Sequence, residues 1–144
     1  MKKLLIIVSV FIVFFITGCG NENVLELNVT KTQKIIENKL KNMKDVDEDT
    51  LKDVYGLNFD IMEVHIIKQN EEGDLYAIIK TSDKVNVKNS MNNYFEKIRT
   101  FNSNYSPERL EILDNRLEKE IGDYLIYIVS EDAESIYKEI TKAM

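Results

Sequence analysis

Tryptophan is missing from the 144 residues, and cysteine, proline and histidine occur once each. With Cys19 alone, no disulfide can form within the chain, so the fold must be held by packing. The same scarcity excludes a zinc site of the Cys and His type. Neither a Gly-rich phosphate loop nor a nucleophile with a base at motif spacing is present. Basic charge is also short: 19 Lys and Arg stand against 25 Asp and Glu, a net charge of −6. A nucleic-acid partner calls for a basic footprint, so none is expected, and no cofactor is implied.

What is present is most distinctive at the start. Lys2 and Lys3 precede an apolar run from Leu4 to Ile16, broken by Ser9. The run ends in Ile16-Thr17-Gly18-Cys19. A cationic start, an apolar centre and small residues at the end make a secretory signal peptide. Its last residues resemble the lipobox of bacterial lipoproteins, in which the Cys thiol takes a diacylglyceryl group and becomes the first residue after cleavage. Cys19 is the expected lipidation site. An uncleaved span would need roughly 20 apolar residues, and this run falls short of that. The expected organisation is a lipoprotein signal peptide over 1–18, a lipidated tether over 19–29 and a single domain over 30–144. The expected location is the cell membrane, lipid-anchored, on the extracytoplasmic side. Without Lys2 and Lys3 the balance is 17 basic against 25 acidic residues, or −8. Such a body is repelled by an acidic bilayer surface.

Along the domain, the spacing of Ile36, Leu40 and Met43 predicts a helix over Thr30 to Met43, capped by Thr30 or Thr32. Asp47 to Tyr55 reads as a short helix with acidic residues at its N-terminus. Gly56 suits the left-handed position after that helix, and Leu57 the apolar contact beyond it. Two β-rich runs, Asp60 to Gln69 and Leu75 to Thr81, flank a Gly-containing turn and predict a hairpin. A long helix follows from about Asp83 to Ser103, capped by Ser82 or Asp83, with Val87, Met91, Tyr94, Phe95, Ile98, Phe101 and Tyr105 on one face. Asn115 to Ile121 and Tyr124 to Ser130 make a second strand pair. Ala133, Ile136, Tyr137 and Ile140 stripe a terminal helix. The fold class is therefore α+β: a two-layer, four-stranded, mainly antiparallel sheet built from two ββα units, preceded by two short helices.

The segments Gly73 to Asp83 and Gly122 to Asp132 can be laid over one another, sharing the Gly-Asp opening, Ile79 with Ile128, and the closing Asp. Two explanations compete. One is duplication; the other is that any hairpin leading into a helix needs a turn glycine and a capping Asp. The superposition places Leu75, Ala77 and Ile79 on one face with Tyr124, Ile126 and Ile128. It leaves Tyr76, Ile78, Leu125 and Tyr127 on the other, which is too apolar to be simply wet. Either the N-terminal helices cover that face, or it meets a partner or ligand.

Chemical candidates are few. His65 shares a strand face with Glu63, which allows proton transfer to be imagined. Asp45, Asp47 and Asp49 imitate the opening of a calcium loop, but Thr50 stands where that loop needs Gly and Gly56 where it needs Glu. Helix capping explains the three aspartates better. No catalytic, metal or cofactor-binding residue is expected.

Leu51 to Leu57, the strand from Gly73 to Lys80, and Gly122-Asp123-Tyr124 running into Ile128 to Ala133 together resemble a domain-of-unknown-function family, number 4358. Its members are small lipoproteins of Gram-positive bacteria with a lipobox, a short tether and one domain. The resemblance runs from about Thr30 to the C-terminus, and it brings no activity or site residue with it. The expected function is a membrane-anchored, non-enzymatic domain that binds a protein or cell-envelope component. The alternatives are a small-ligand-binding lipoprotein, with its pocket between the N-terminal helices and the sheet, and an envelope-acting enzyme centred on His65.

Overall fold

The computed structural model describes residues 26–144. Its centre is an antiparallel sheet of five strands in the order β1-β2-β3-β5-β4. The strands are β1 (Lys44–Asp45), β2 (Val64–Gln69), β3 (Leu75–Lys80), β4 (Leu117–Ile121) and β5 (Tyr124–Val129). Four were expected; the fifth, β1, is two residues long and too short for any alternation to announce it. The helices are α1 (Val29–Lys39), α2 (Lys84–Tyr105), the single turn α3 (Leu110–Asp114) and α4 (Ala133–Lys142). Among the described residues no helix is long and apolar enough to cross a membrane.

The central strands β3 and β5 pair with Leu75 opposite Val129, Ala77 opposite Tyr127 and Ile79 opposite Leu125. Those six residues share one face and pack beneath Val87, Met91, Tyr94 and Phe95 of α2. Tyr76, Ile78, Tyr124, Ile126 and Ile128 form the opposite face, under Ile36 of α1 and Ile136 and Ile140 of α4. This corrects the sequence-based faces by one residue in β5. Residues matched by similarity were assumed to point the same way, whereas facing in an antiparallel pair is set by register. It also corrects the two-layer expectation, because helices cover both sides. β5 reads as a continuous apolar run, YLIYIV, because every one of its residues is buried. Burying each large side chain there contributes about 2 kcal/mol.

The two ββα units differ in hand. Passing from β2-β3 to β4-β5 exchanges left for right and reverses strand direction. A rotation that does both keeps the sheet face unchanged, yet α2 and α4 lie on opposite faces. No rigid rotation superposes the units. The shared Gly answers a local need, since Gly73 and Gly122 both have positive φ; of the two aspartates, Asp83 caps its helix, accepting from the Asn86 amide at 3.3 Å, while the Asp132 side chain makes no such bond.

Local ends explain the other departures. α1 is capped by Asn28, whose side chain accepts from the Lys31 amide at 2.9 Å, ahead of the expected Thr30 and Thr32. It stops before Met43, at Lys39, where Leu40 becomes extended, and the left-handed Asn42, with φ of 57°, then turns the chain into β1. The second helix is a π-type turn, Thr50–Val54, in which the Tyr55 amide reaches the Thr50 carbonyl. It ends as expected: Gly56 is left-handed, and the Leu57 amide bonds back to the Leu51 carbonyl at 3.0 Å.

Two glycines make a matched test. A Cβ on Gly56 (φ +73°) would meet nothing within 4 Å, whereas one on Gly73 (φ +88°) would lie 3.1 Å from Arg109 Nε. Arg109 is held there by Asp74 at 3.0 Å, with both side chains largely buried. Gly56→Ala should cost about 1 kcal/mol of backbone strain, and Gly73→Ala about 2 kcal/mol by adding displacement of that ion pair. Urea unfolding of the two variants checks the order.

Candidate functional site at the open edge of the sheet

β1 covers only one end of β2, with Lys44 opposite Gln69 and Asp45 opposite Lys68. The Val46 amide makes one more bond, 3.0 Å to the Ile67 carbonyl, and then the chain leaves the sheet. It leaves because Asp47 caps the next turn: its Oδ2 accepts from both the amide and the hydroxyl of Thr50 at 2.8 Å. Leu51 and Leu57 then bury themselves beside α2, and Tyr55 meets Tyr94 edge to face at 4.7 Å. Beyond Val46, no strand among the described residues pairs with the outer edge of β2. A cleft of about 320 Å³ opens there, lined by Gln33 of α1, by Asp45, Val46, Glu48 and Leu51, and by His65 to Lys68 of β2.

The floor on the α1 side is a polar cluster inside an apolar layer. Tyr76 is fully buried, and its hydroxyl donates to Glu37 Oε1 at 2.5 Å. Lys68 donates to the same oxygen at 3.0 Å and lies 4.0 Å from Asp45. Burial, and then the bond to Glu37, pushes the Tyr76 phenol well above its ordinary value. Burial alone would raise the Glu37 carboxyl, but hydrogen bonds from Tyr76 and Lys68 hold it below the usual carboxylate range. Glu37 is therefore a carboxylate at neutral pH, fixed by two donors, and it fastens α1 to the sheet.

His65 stands at the opposite wall. Its ring lies against Phe59 with centroids 4.3 Å apart, and its Nε2 is 3.9 Å from Glu48. Glu63, the neighbour expected for it, instead faces Lys80 at 3.5 Å. His65 thus lines the cleft as a half-buried, stacked side chain.

The remaining sequence candidates are dispersed. Tyr76 and Ile78 lie on one face of the sheet and Leu125 and Tyr127 on the other, and all four are buried. They cannot form an exposed partner face; helices occupy both sides. Cys19 lies outside the described residues. Asp45, Asp47 and Asp49 do not converge: Asp45 is at the cleft, and Asp47 caps a turn. Among the described residues no group of His, Cys, Asp and Glu is arranged to hold a metal ion. A second hollow, about 410 Å³, lies where α3 meets the start of α4, with Glu108, Glu111, Glu131 and Glu134 around it. Sequence reasoning missed Gln33, Glu37 and Lys68. They are isolated polar residues on two elements, and the only signal was that Glu37 and Lys68 are charged positions adjoining apolar stripes.

No curated protein and no solved structure matches the chain. A family model described as a domain of unknown function (DUF4358) matches residues 36–130, from the middle of α1 to the end of β5. That span holds the whole sheet, the open edge and the Glu37–Lys68–Tyr76 cluster, and the chain belongs to the DUF4358 family.

Proposed function

We propose that the chain is a lipid-anchored extracytoplasmic protein whose domain binds, without catalysis, a protein or cell-envelope component in the cleft beside β2. The observation that carries the binding half is the cleft itself. It is concave, it sits where the sheet has no further strand among the described residues, and it gathers Gln33, Asp45, Glu48, His65 and Lys68 around an apolar base of Val46, Leu51 and Ile67. A few polar groups over an apolar base is the usual make-up of a recognition site. The anchoring half rests on the lipobox resemblance at Ile16 to Cys19. The volume also falls in the range of small-ligand sites, which keeps a small polar ligand as the second reading.

Both halves have direct tests. Palmitate label should enter the protein in cells and be lost with Cys19→Ala, which should also release it from the membrane fraction. A photoreactive p-benzoylphenylalanine in place of Gln33 should give a discrete crosslinked species in intact cells. The same group in place of Asn104, at the exposed end of α2, should give none. Loss of the Gln33 product in an Asp45→Lys, Glu48→Lys double variant would assign it to the cleft; equal products from both positions would remove the cleft from consideration.

A further inference from the structure

We infer that the cleft takes an extended peptide segment bearing basic side chains, added as a further strand alongside β2. This rests on the cleft reading above and specifies its occupant.

The backbone is the first support. In an antiparallel ladder, successive residues direct their amide and carbonyl to alternate neighbours. Lys68, Ile66 and Val64 stand opposite Tyr76, Ile78 and Lys80 of β3. Ile67 turns the other way, as its carbonyl bond to the Val46 amide demonstrates. His65 is two residues along and has the same phase, so its amide and carbonyl also point outward into the cleft. Outside the strand ladders, no backbone acceptor among the described residues meets the amides of His65 or Ile67. The His65 amide and carbonyl face outward beyond Val46, and the Ile67 amide faces outward beside it. Unpaired groups of this kind template another strand, and main-chain bonding to a sheet edge is an established way of holding a peptide.

The walls are the second support. The cleft lies in the plane of the sheet, with Gln33 of α1 on one side and Glu48 and Leu51 on the other. The opposite edge, β4, is managed differently: Glu118, Lys119 and Glu120 are all exposed along it, a charge pattern that discourages pairing. The edge at β2 carries no such run: Val64, Ile66 and Ile67 are apolar, with His65 among them.

Charge selects the occupant. Lys68 is already engaged by Glu37 at 3.0 Å. Asp45 and Glu48, 84% and 68% exposed, flank the opening with no full cationic partner in close contact. The surplus is negative, so the complementary segment carries Lys or Arg. A second copy of this chain offers its acidic β4 edge and complements the opening poorly.

The test uses the lipid-free domain in the intact 19–144 chain with Cys19→Ser. The probe is a capped peptide of about seven residues alternating Lys and Val, long enough at about 3.3 Å per residue to run past both ends of the open edge. On titration it should shift the amide resonances of His65 and Ile67. The Glu and Val counterpart should bind about tenfold more weakly or worse. Methylating the backbone nitrogens of the peptide that face β2 should abolish binding. His65→Pro removes an outward amide that β3 does not use, a position where an edge strand tolerates proline; it should abolish binding, while His65→Ala should retain it. Amides that do not move with the Lys and Val peptide, or an N-methylated peptide that binds equally well, would overturn strand addition. Concentration-dependent shifts at His65 and Ile67 without peptide would overturn it in favour of a second copy. A Gln33 crosslink in cells together with unmoved amides would reject strand addition and leave the cleft reading standing; loss of both would reject the cleft itself.

Discussion

Phe95→Ala should lower the unfolding free energy by about 4 kcal/mol, the largest effect of any single truncation considered. Phe95 is 1% exposed and joins three parts of the domain. It stacks on Tyr94 of its own helix at 5.6 Å and on Tyr127 of β5 at 5.5 Å. The Arg116 guanidinium sits 4.4 Å above its ring, where desolvation strengthens the attraction between cation and ring. Removing the ring opens a cavity between helix and sheet and strips Arg116 of its seat. Since typical domains are stable by 5–15 kcal/mol, the loss is about a quarter or more of the total. Phe101, one and a half turns further along α2, is 58% exposed, and Phe101→Ala should change stability by about 0.5 kcal/mol or less. Chemical denaturation of both variants measures the contrast. A Phe95 cost below that of Phe101 would mean that α2 does not pack on this face.

The second large effect belongs to Glu37. Glu37→Ala leaves the Lys68 ammonium and the buried Tyr76 hydroxyl without their shared acceptor. An orphaned charge in a fully buried pair costs several kcal/mol. The Glu37 side chain is 37% exposed, so water recovers part of that, and the expected loss is about 2 kcal/mol. Adding Tyr76→Phe should restore some of it, because the stranded hydroxyl then disappears. The pH dependence has a definite sign. The folded carboxyl titrates below its unfolded value, so its contribution is complete above the unfolded value of about 4.3. It is lost as pH falls through the lower folded value. Denaturation midpoints of the parent should therefore drop more steeply below about pH 4.3 than those of Glu37→Gln. Identical acid profiles would mean that Glu37 is not held by these two donors.

Much of this architecture was readable from local pattern. β3 and β5 are dense in β-branched and aromatic residues. α2 announces itself through Val87, Met91, Tyr94 and Phe95, and Gly56-Leu57 ends its turn as their chemistry requires. What escaped has identifiable causes. β1 is two residues long and exposed, so no alternation marks it. The end of α2 misleads: Phe101 and Tyr105 continue the apolar stripe, yet they lie exposed beyond the sheet and stack on each other at 4.8 Å. The facing of β5 was one residue out because similarity to β3 suggested a symmetry that α2 and α4, on opposite sides, do not share. The site was hardest to see. Glu37 and Lys68 are 31 residues apart, and only the fold brings them together beside the Tyr76 phenol that shares the Glu37 oxygen.

The contact between α1 and α4 bears on when the domain can close. Lys31 donates to the Ala143 carbonyl at 2.6 Å, and Lys39 meets Glu139 at 3.3 Å. Among the described residues, the first helix in chain order thus rests beside the last. Until α4 has emerged, one entire side of β3 and β5 has only half its cover. The other side, with α2 in place, can assemble earlier. Chains that emerge N-terminus first would wait as a half-clad sheet, open to chaperones, and acquire the second coat in a single late step.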